Sequence, residues 1–335
     1  MAKDKILIYG AGGYMGKLFT KYAQLNQLPF ILGSRDNFST NLPVRFFSLE
    51  NEADILDNLS DVQLVVNLAG PFVHTNKSLI SACIKTQTHY LDIAGEVPDF
   101  QTVYEFDRAA KEAGIMLMPG AGFGVVPTDI VANLAKEKLP NATHLKIAYN
   151  TIGGASRGTL KTVLKDIHKE GVILRKARFE PAMPAFKFFS FEAEGKKWNL
   201  VYNPWRADLF TAQLSTNIPN IETYSNFPNF IIQMMKGKWL WLRDFLLNRL
   251  IHFLPEGPSE KQLKEGKTIC YAEVWNEKGE KASATLIGPE AYLFTAQALV
   301  AISKNILAGK AKVGFQTPNL YGKALLKEIS GTKMG

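Results

Sequence analysis

Four glycines in "GAGGYMG" (residues 10–16), Gly10, Gly12, Gly13 and Gly16, follow the apolar run "KILIY" and precede an amphipathic stretch. This order makes a tight strand-to-helix turn whose backbone can touch a diphosphate. The helix N-terminus adds orphan N–H groups and a positive dipole end. A glycine triplet alone is a common turn, but at the first junction of a strand–helix series it is a dinucleotide fingerprint. Tyr14 and Met15 are read as part of the same cofactor turn. The second apolar run ends in "ILGSRD" (31–36), where an acidic residue would ordinarily hold a ribose diol. Arg35 stands there instead, beside Ser34. A guanidinium offers a planar, permanently charged fork to a 2′-phosphate, and the hydroxyl a further donor. The expected cofactor is NADP(H). Asp36 leaves a second reading open, in which it holds the ribose and Arg35 stacks on adenine.

Two more strand ends carry small residues. "VVNLAGPF" (65–72) closes on Leu68, Ala69, Gly70 and Pro71, against which ribose and nicotinamide can lie. "YLDIAGE" (90–96) closes on Ala94 and Gly95, with Tyr90, Asp92 and Glu96 as proton donors or nicotinamide contacts. Downstream, "GGASRGTLKTVLK" (153–165) sets Ser156, Arg157 and Thr159 on a glycine-flanked turn at a helix start. That turn suits a carbonyl oxygen or carboxylate, assisted by Lys161 or Lys165, and plain N-capping by Ser156 or Thr159 explains it equally. Phe123 and Asp129 are expected where two domains meet, or Asp129 caps its own helix. The five histidines and the two cysteines, Cys83 and Cys270, lack metal-ligand spacing, so neither a metal nor a disulfide framework is expected.

Positioning these residues requires an alternating scaffold. Strands are expected at 5–10, 29–34, 44–49, 62–70, 89–95 and 115–122, and helices at 14–26, 51–59, 76–86, 99–113 and 127–139. Apolar strands alternating with helices indicate a parallel sheet covered on both faces. After residue 142 the pattern changes to a strand (144–152), a helix (159–171), mixed strands with many aromatics, a strand pair (268–276 and 281–288) and a final helix (291–309). The expected fold class is α/β: an N-terminal Rossmann doubly wound parallel sheet (1–142), then an α+β domain with a mostly antiparallel sheet for substrate or dimerisation (143–290). A C-terminal helix and tail (291–335) would return to the Rossmann domain.

With 335 residues the chain can bury two cores. No secretory signal and no stretch long enough to span a membrane is read, which makes cytoplasm the default. Residues 1–140 hold 12 Lys and Arg against 15 Asp and Glu, whereas residues 141–335 hold 27 against 16. A basic second half attracts an acidic substrate, an acyl carrier or an anionic membrane, or is a solvated lysine-rich surface. Its charges are scattered rather than interleaved with aromatics, against nucleic-acid binding. In 229–254, Met235, Trp239, Leu242, Leu246, Leu250 and Phe253 recur at helical spacing with basic flanks. This amphipathic helix is a substrate lid, a homodimer face, a peripheral membrane contact, or a helix packed on its own domain.

Together these motifs resemble the saccharopine dehydrogenase-like oxidoreductases, in particular the branch that includes trans-acting enoyl reductases. The resemblance runs from "GAGGYMG" through "LGSR", "NLAGPF", "YLDIAGE" and "PGAGFGVVPTD". It resumes at "GGASRGTLKTVL", "STNIPNIETY" and "GPSE", and ends near "GPEAYLFTAQAL" and "GFQTPNLYGKALL". It implies an NADP-binding Rossmann domain, a second domain closing over the substrate, and reduction of a carbon–carbon double bond in a lipid-like molecule. More distant relatives reduce imines of amino acids. A saccharopine-type substrate carries several carboxylates, and the second half shows no dense arginine constellation to bind them. Its aromatics suit an acyl chain better. The expectation is an NADPH-dependent reductase holding an apolar substrate between its domains. The alternatives are an amino-acid imine dehydrogenase and a non-catalytic, membrane-associated NADPH-binding protein.

Overall fold

The apolar runs of the first third become strands of one parallel sheet, because each can be buried on both faces. The computed structural model describes residues 3–165 and 167–335, with residues 248, 250 and 252 traced by backbone alone. Contacts divide the chain into two units, 1–126 with 292–329, and 127–291 with 330–335.

The first unit begins β1 (Lys5–Tyr9), α1 (Tyr14–Leu25), β2 (Phe30–Ser34), β3 (Val44–Phe46), α2 (Glu52–Leu59), β4 (Val62–Asn67). It continues α3 (Asn76–Thr86), β5 (His89–Asp92), α4 (Val97–Tyr104), α5 (Asp107–Ala113) and β6 (Met116–Met118). The sheet order is 6-5-4-1-2-3, all parallel, with Gly314–Phe315 added beyond β6. Ile6, Leu7 and Ile8 of β1 and Leu64, Val65 and Val66 of β4 are fully buried. Their neighbours therefore cover both sheet faces. α1 contributes Met15, Phe19 and Ala23, spaced four apart on one face. The single helix expected over 99–113 is two helices, broken at Glu105–Phe106.

The second unit contains α6 (Val126–Lys138), β7 (His144–Ile152), α7 (Arg157–Lys165), β8 (Gly171–Arg175), β9 (Arg178–Ala182), β10 (Phe188–Ala193) and β11 (Lys196–Tyr202). Then follow α8 (Asp208–Thr216), β12 (Asn220–Ser225), α9 (Asn229–Met235), α10 (Leu240–Phe245), α11 (Glu260–Glu265), β13 (Lys267–Trp275) and β14 (Lys281–Pro289). The sheet runs β10-β11-β12-β7-β13-β14, and Lys333–Met334 pairs outside β14. The β8–β9 hairpin attaches to β12. Only β12 and β7 pair in parallel among the described strands of this sheet.

Helix α6 clusters with the second unit, 16 residues before the sequence boundary at 142. The reason is a set of polar ties: Thr128 donates to Asp208, Ser215 Oγ donates to Asp129 Oδ1 at 2.6 Å, and Lys138 Nζ donates to the Ser283 carbonyl at 2.9 Å. Asp129 is thus bonded to α8. The chain returns to the first unit through α12 (Ala291–Leu307), where Thr295 Oγ1 accepts the Phe123 amide at 3.0 Å.

Segment 229–254 is not the continuous helix that its spacing suggests. Gly237 (φ 77°) and Trp239 (φ 56°) are left-handed and separate α9 from α10. A π-turn (Leu246–Leu250) and a 3-10 turn (Ile251–Phe253) follow. Met235 is buried, while Leu242 and Leu246 pack against the same core. Trp239 and Phe253 face solvent. The side chains of Leu250 and His252 lie outside the described residues.

Candidate cofactor-binding site

In the first unit the strand order reverses between β1 and β4, with β2 on one side and β5 on the other. The crevice beyond their carboxyl ends is the ligand position of such sheets. Two loops meet there. Gly10 has φ +85°, and a Cβ on it would lie 2.7 Å from the Ala69 nitrogen and 2.8 Å from the Leu68 carbonyl carbon. Only glycine lets the β1 turn touch the turn after β4. A Cβ on Gly16 would lie 2.3 Å from the Gly10 oxygen, so this residue lets α1 settle onto the same turn. Gly13 caps α1 without a side-chain hydrogen bond, and the first helical turn carries no acidic residue. The helix end therefore suits a diphosphate, and this side-chain-free cradle fits the dinucleotide expected from the sequence.

The flanking residues are placed differently from their sequence reading in several cases. Met15 points into the core, so only its backbone belongs to the turn. Tyr14 sits edge-on to Tyr292, with ring centroids 5.3 Å apart. Ser34 is buried and donates its hydroxyl hydrogen to the Asp36 carbonyl at 2.7 Å, a turn-forming bond rather than a phosphate donor. Arg35 is 72% exposed and paired with Asp36, Nη2 to Oδ2 at 2.7 Å. The Arg35 hydrogen bonds hold the Asp36 carboxyl below its ordinary pKa. Sequence reasoning overlooked Phe38, whose ring would lie 3.2 Å from a Cβ on Gly12. It meets exposed Phe46 edge-on at 6.4 Å. This pair forms an aromatic wall beside the glycine turn, suited to a purine. An aromatic shortly after β2 and another closing β3 were the available signal.

Behind the crevice runs a buried relay. Asn67 Oδ1 accepts the Ala69 amide at 3.1 Å, and Asn67 Nδ2 donates to Thr75 Oγ1 and Tyr90 Oη, each at 3.0 Å. Tyr90 donates to Asp92 Oδ2 at 2.9 Å. Asp92 Oδ1 accepts the Ala94 and Gly120 amides, each at 2.9 Å. The ends of β4 and β5 are thereby locked to each other. Burial pushes the Asp92 carboxyl up to about 6 and the Tyr90 phenol well above its ordinary value. Tyr90, expected as a proton donor or nicotinamide contact, is fully buried, and its hydroxyl is bonded to Asn67 and Asp92. Leu68 and Ala94 are buried behind the loops, Gly70 and Pro71 are exposed, and Gly95 is half-buried. Glu96 caps α4 with its backbone. One turn on, Asp99 is buried, and desolvation together with the charges of Asp92 and Glu96 pushes it up to about 7. Asp99 was also missed, because a carboxyl in a helix's first turn reads as an ordinary dipole partner.

Ser156, Arg157 and Thr159 lie together in the second unit, apart in the chain from Tyr90 and Glu96. Ser156 Oγ accepts the Thr159 amide at 3.2 Å and lies 3.1 Å from its hydroxyl. Both hydroxyls thus serve the start of α7. The Arg157 amide donates to the Glu256 carbonyl at 3.1 Å. No cluster of metal ligands exists among the described residues.

Comparison with known proteins identifies the first unit. The family model for the saccharopine dehydrogenase NADP binding domain matches residues 6–118. A lipid droplet localized protein of Caenorhabditis elegans is 20% identical, over 92% of this chain and 91% of its own. A trans-acting enoyl reductase of Mycobacterium tuberculosis is 26% identical, over 37% of this chain and 34% of its own length. The apo saccharopine dehydrogenase (L-Glu forming) of Saccharomyces cerevisiae shares the fold, with a TM-score of 0.65 over 99% of this chain and all of its own at 11% identity.

Proposed function

We propose that this chain, a saccharopine dehydrogenase-like NADP-binding oxidoreductase, reduces the carbon–carbon double bond of an apolar acyl substrate. The observation that carries the reading is the side-chain-free dinucleotide cradle of the first unit; the second unit has its own hydrophobic core cluster. Ile231, Met234 and Met235 are buried with Leu164, Ile167 and Val201 in that cluster. The partial likeness to an enoyl reductase supports the same chemistry.

When bound, NADPH supplies the hydride. The chain's residues supply its orientation. The turn at Gly10–Gly16 would hold the diphosphate at the tip of α1, and Arg35, now paired with Asp36, would hold the 2′-phosphate. Phe38 and Phe46 would hold the purine. The relay from Asn67 to Asp92 holds the Ala69 backbone, and the turn it begins would receive the nicotinamide half of the cofactor. Loss of NADPH absorbance with a medium-chain α,β-unsaturated acyl thioester tests the proposal. Turnover of saccharopine-type amino acids in place of such thioesters would overturn it.

The substrate class also favours contact with a lipid surface. Trp239, Trp241 (71% exposed), Phe245 and Phe253 (86% exposed) stand out from segment 229–254, beside exposed Lys236, Lys238 and Arg249. Aromatic side chains with flanking cations bind the headgroup region of anionic bilayers. The lipid-droplet relative supports this placement. No helix among the described residues is long and apolar enough to cross a membrane. Co-sedimentation with anionic phospholipid vesicles is expected, and its persistence in a Trp239→Ser/Trp241→Ser double variant would exclude this surface.

A further inference from the structure

We propose that the start of β7, in the second unit, carries a separate binding site for a small planar carboxylate, held between the His144–Trp275 ring stack and the basic tip of the β8–β9 hairpin. The site is independent of the reductase reading. It lies at the His144 end of a nine-residue strand whose other end leads to Ser156 and Arg157, about 25 Å away along the strand.

Three neighbouring strands set one row of side chains on the same face of the sheet. Asn220 of β12 and Trp275 of β13 are both registered with His144 of β7. The His144 and Trp275 rings stack, with centroids 4.9 Å apart and planes 14° from parallel. From the next position on that face, Lys146 sets its ammonium 5.0 Å from the centroid of the Trp275 ring. The hairpin is pinned against this row. The Lys176 amide donates to Asn220 Oδ1 at 3.0 Å and the Ala177 amide to the Pro219 carbonyl at 2.8 Å. Asn220 Nδ2 in turn donates to the Thr143 carbonyl at 3.0 Å. Where hairpin and row meet lies an open cavity of about 250 Å³, whose lining includes His144, Trp275, Ile173, Arg175, Asn220 and Glu222.

The hairpin tip is built against local preference. Lys176 (φ 47°) and Ala177 (φ 60°) are both left-handed in a two-residue turn, where glycine or asparagine is usual. Arg175 and Arg178 stand directly opposite each other across the hairpin, and like charges so paired repel. With Lys176, three exposed cations crowd four residues. Arg175 meets Glu180 only at 3.5 Å, each of them about half-exposed. An anion at the tip relieves this repulsion, and the guanidinium fork matches a carboxylate. The Glu222 carboxylate in the cavity is already neutralised by Lys187 and bonded by Tyr224 Oη. Size and shape select the rest of the ligand. A dry cavity of about 150 Å³ takes up benzene, so this larger one has room for a six-membered ring and its carboxylate. The ring extends the His144–Trp275 stack beside Ile173, a favourable arrangement for aromatic groups, and the carboxylate turns to Arg175.

The test is a saturation-transfer NMR titration of the full chain with benzoate, for which saturable binding is expected. Benzamide keeps the ring without the charge, and cyclohexanecarboxylate keeps the charge without the flat ring. Each should bind at least about threefold more weakly. Arg175→Gln should weaken benzoate about three- to tenfold and leave benzamide unchanged. Arg175 is exposed, so this substitution leaves the core intact. Arg108→Gln removes an exposed cation of the first unit and should leave benzoate affinity at the wild-type value, as should saturating NADPH. Failure of benzoate to saturate would overturn the site, as would wild-type affinity in Arg175→Gln or an equal loss in Arg108→Gln. Displacement of benzoate by NADPH would put it in the cofactor crevice and also overturn the site. Cyclohexanecarboxylate binding as tightly as benzoate would overturn the planar ligand class.

Discussion

Asp36 holds the Arg35 guanidinium from one residue away, with Nε to Oδ1 at 3.1 Å and Nη2 to Oδ2 at 2.7 Å. The group that would select a 2′-phosphate is thus already engaged by a competing anion. Both partners are largely exposed, so the exchange costs little desolvation. Asp36→Asn should therefore tighten NADPH binding severalfold. Arg35→Ala should weaken it by about tenfold to a hundredfold, the worth of a charge-assisted phosphate contact, and leave NADH affinity unchanged. Fluorescence titration of both nucleotides measures the effect. Equal loss for NADH and NADPH in Arg35→Ala would favour adenine stacking instead.

The glycine cradle separates folding from binding. Gly10→Ala places a Cβ against the Ala69 backbone at φ +85° and should cost at least about 2 kcal/mol in urea unfolding. At Gly70 a Cβ would meet nothing closer than the Phe72 ring at 3.8 Å. Gly70→Ala should leave stability within about 0.5 kcal/mol of wild type while weakening NADPH binding. Equal stability loss in the two variants would refute the distinction.

Tyr90→Phe removes the donor to Asp92 Oδ2 and the acceptor for Asn67 Nδ2. A loss of about 1–3 kcal/mol is expected in chemical denaturation. The pH profile of kcat should keep its shape, since the phenol positions the loops and moves no proton. Disappearance of a basic limb from that profile would restore Tyr90 as a proton donor.

Asp99 makes stability pH-dependent with a defined sign. Its carboxyl is raised to about 7 in the folded chain, from an ordinary value of 3.8. The proton is thus bound more tightly when folded. Its contribution is complete below the unfolded value and is lost as pH rises through about 7. Asp99→Asn should therefore be more stable than wild type at pH 8, by on the order of 2–4 kcal/mol, with the difference shrinking toward pH 4. Parallel melting curves at both pH values would show that burial does not raise this carboxyl.

Much of the first unit was legible in the sequence because its signals are local. A strand buried on both faces needs an unbroken apolar run, and a turn at φ +85° needs glycine. Both requirements are written in residues 5–16 and 62–70. The position of Arg35 just past β2 follows from the same spacing. What the side chains do there was decided by partners distant in the chain. Tyr90 reads as a candidate acid until Asn67 and Asp92 enclose it. Phe38 joins the cradle only because folding sets it against Gly12. Periodicity gave 229–254 one helix, and left-handed residues at 237 and 239 divided it. Short-range sterics can be read along a chain, whereas burial and hydrogen-bond satisfaction depend on segments that meet only once it has folded.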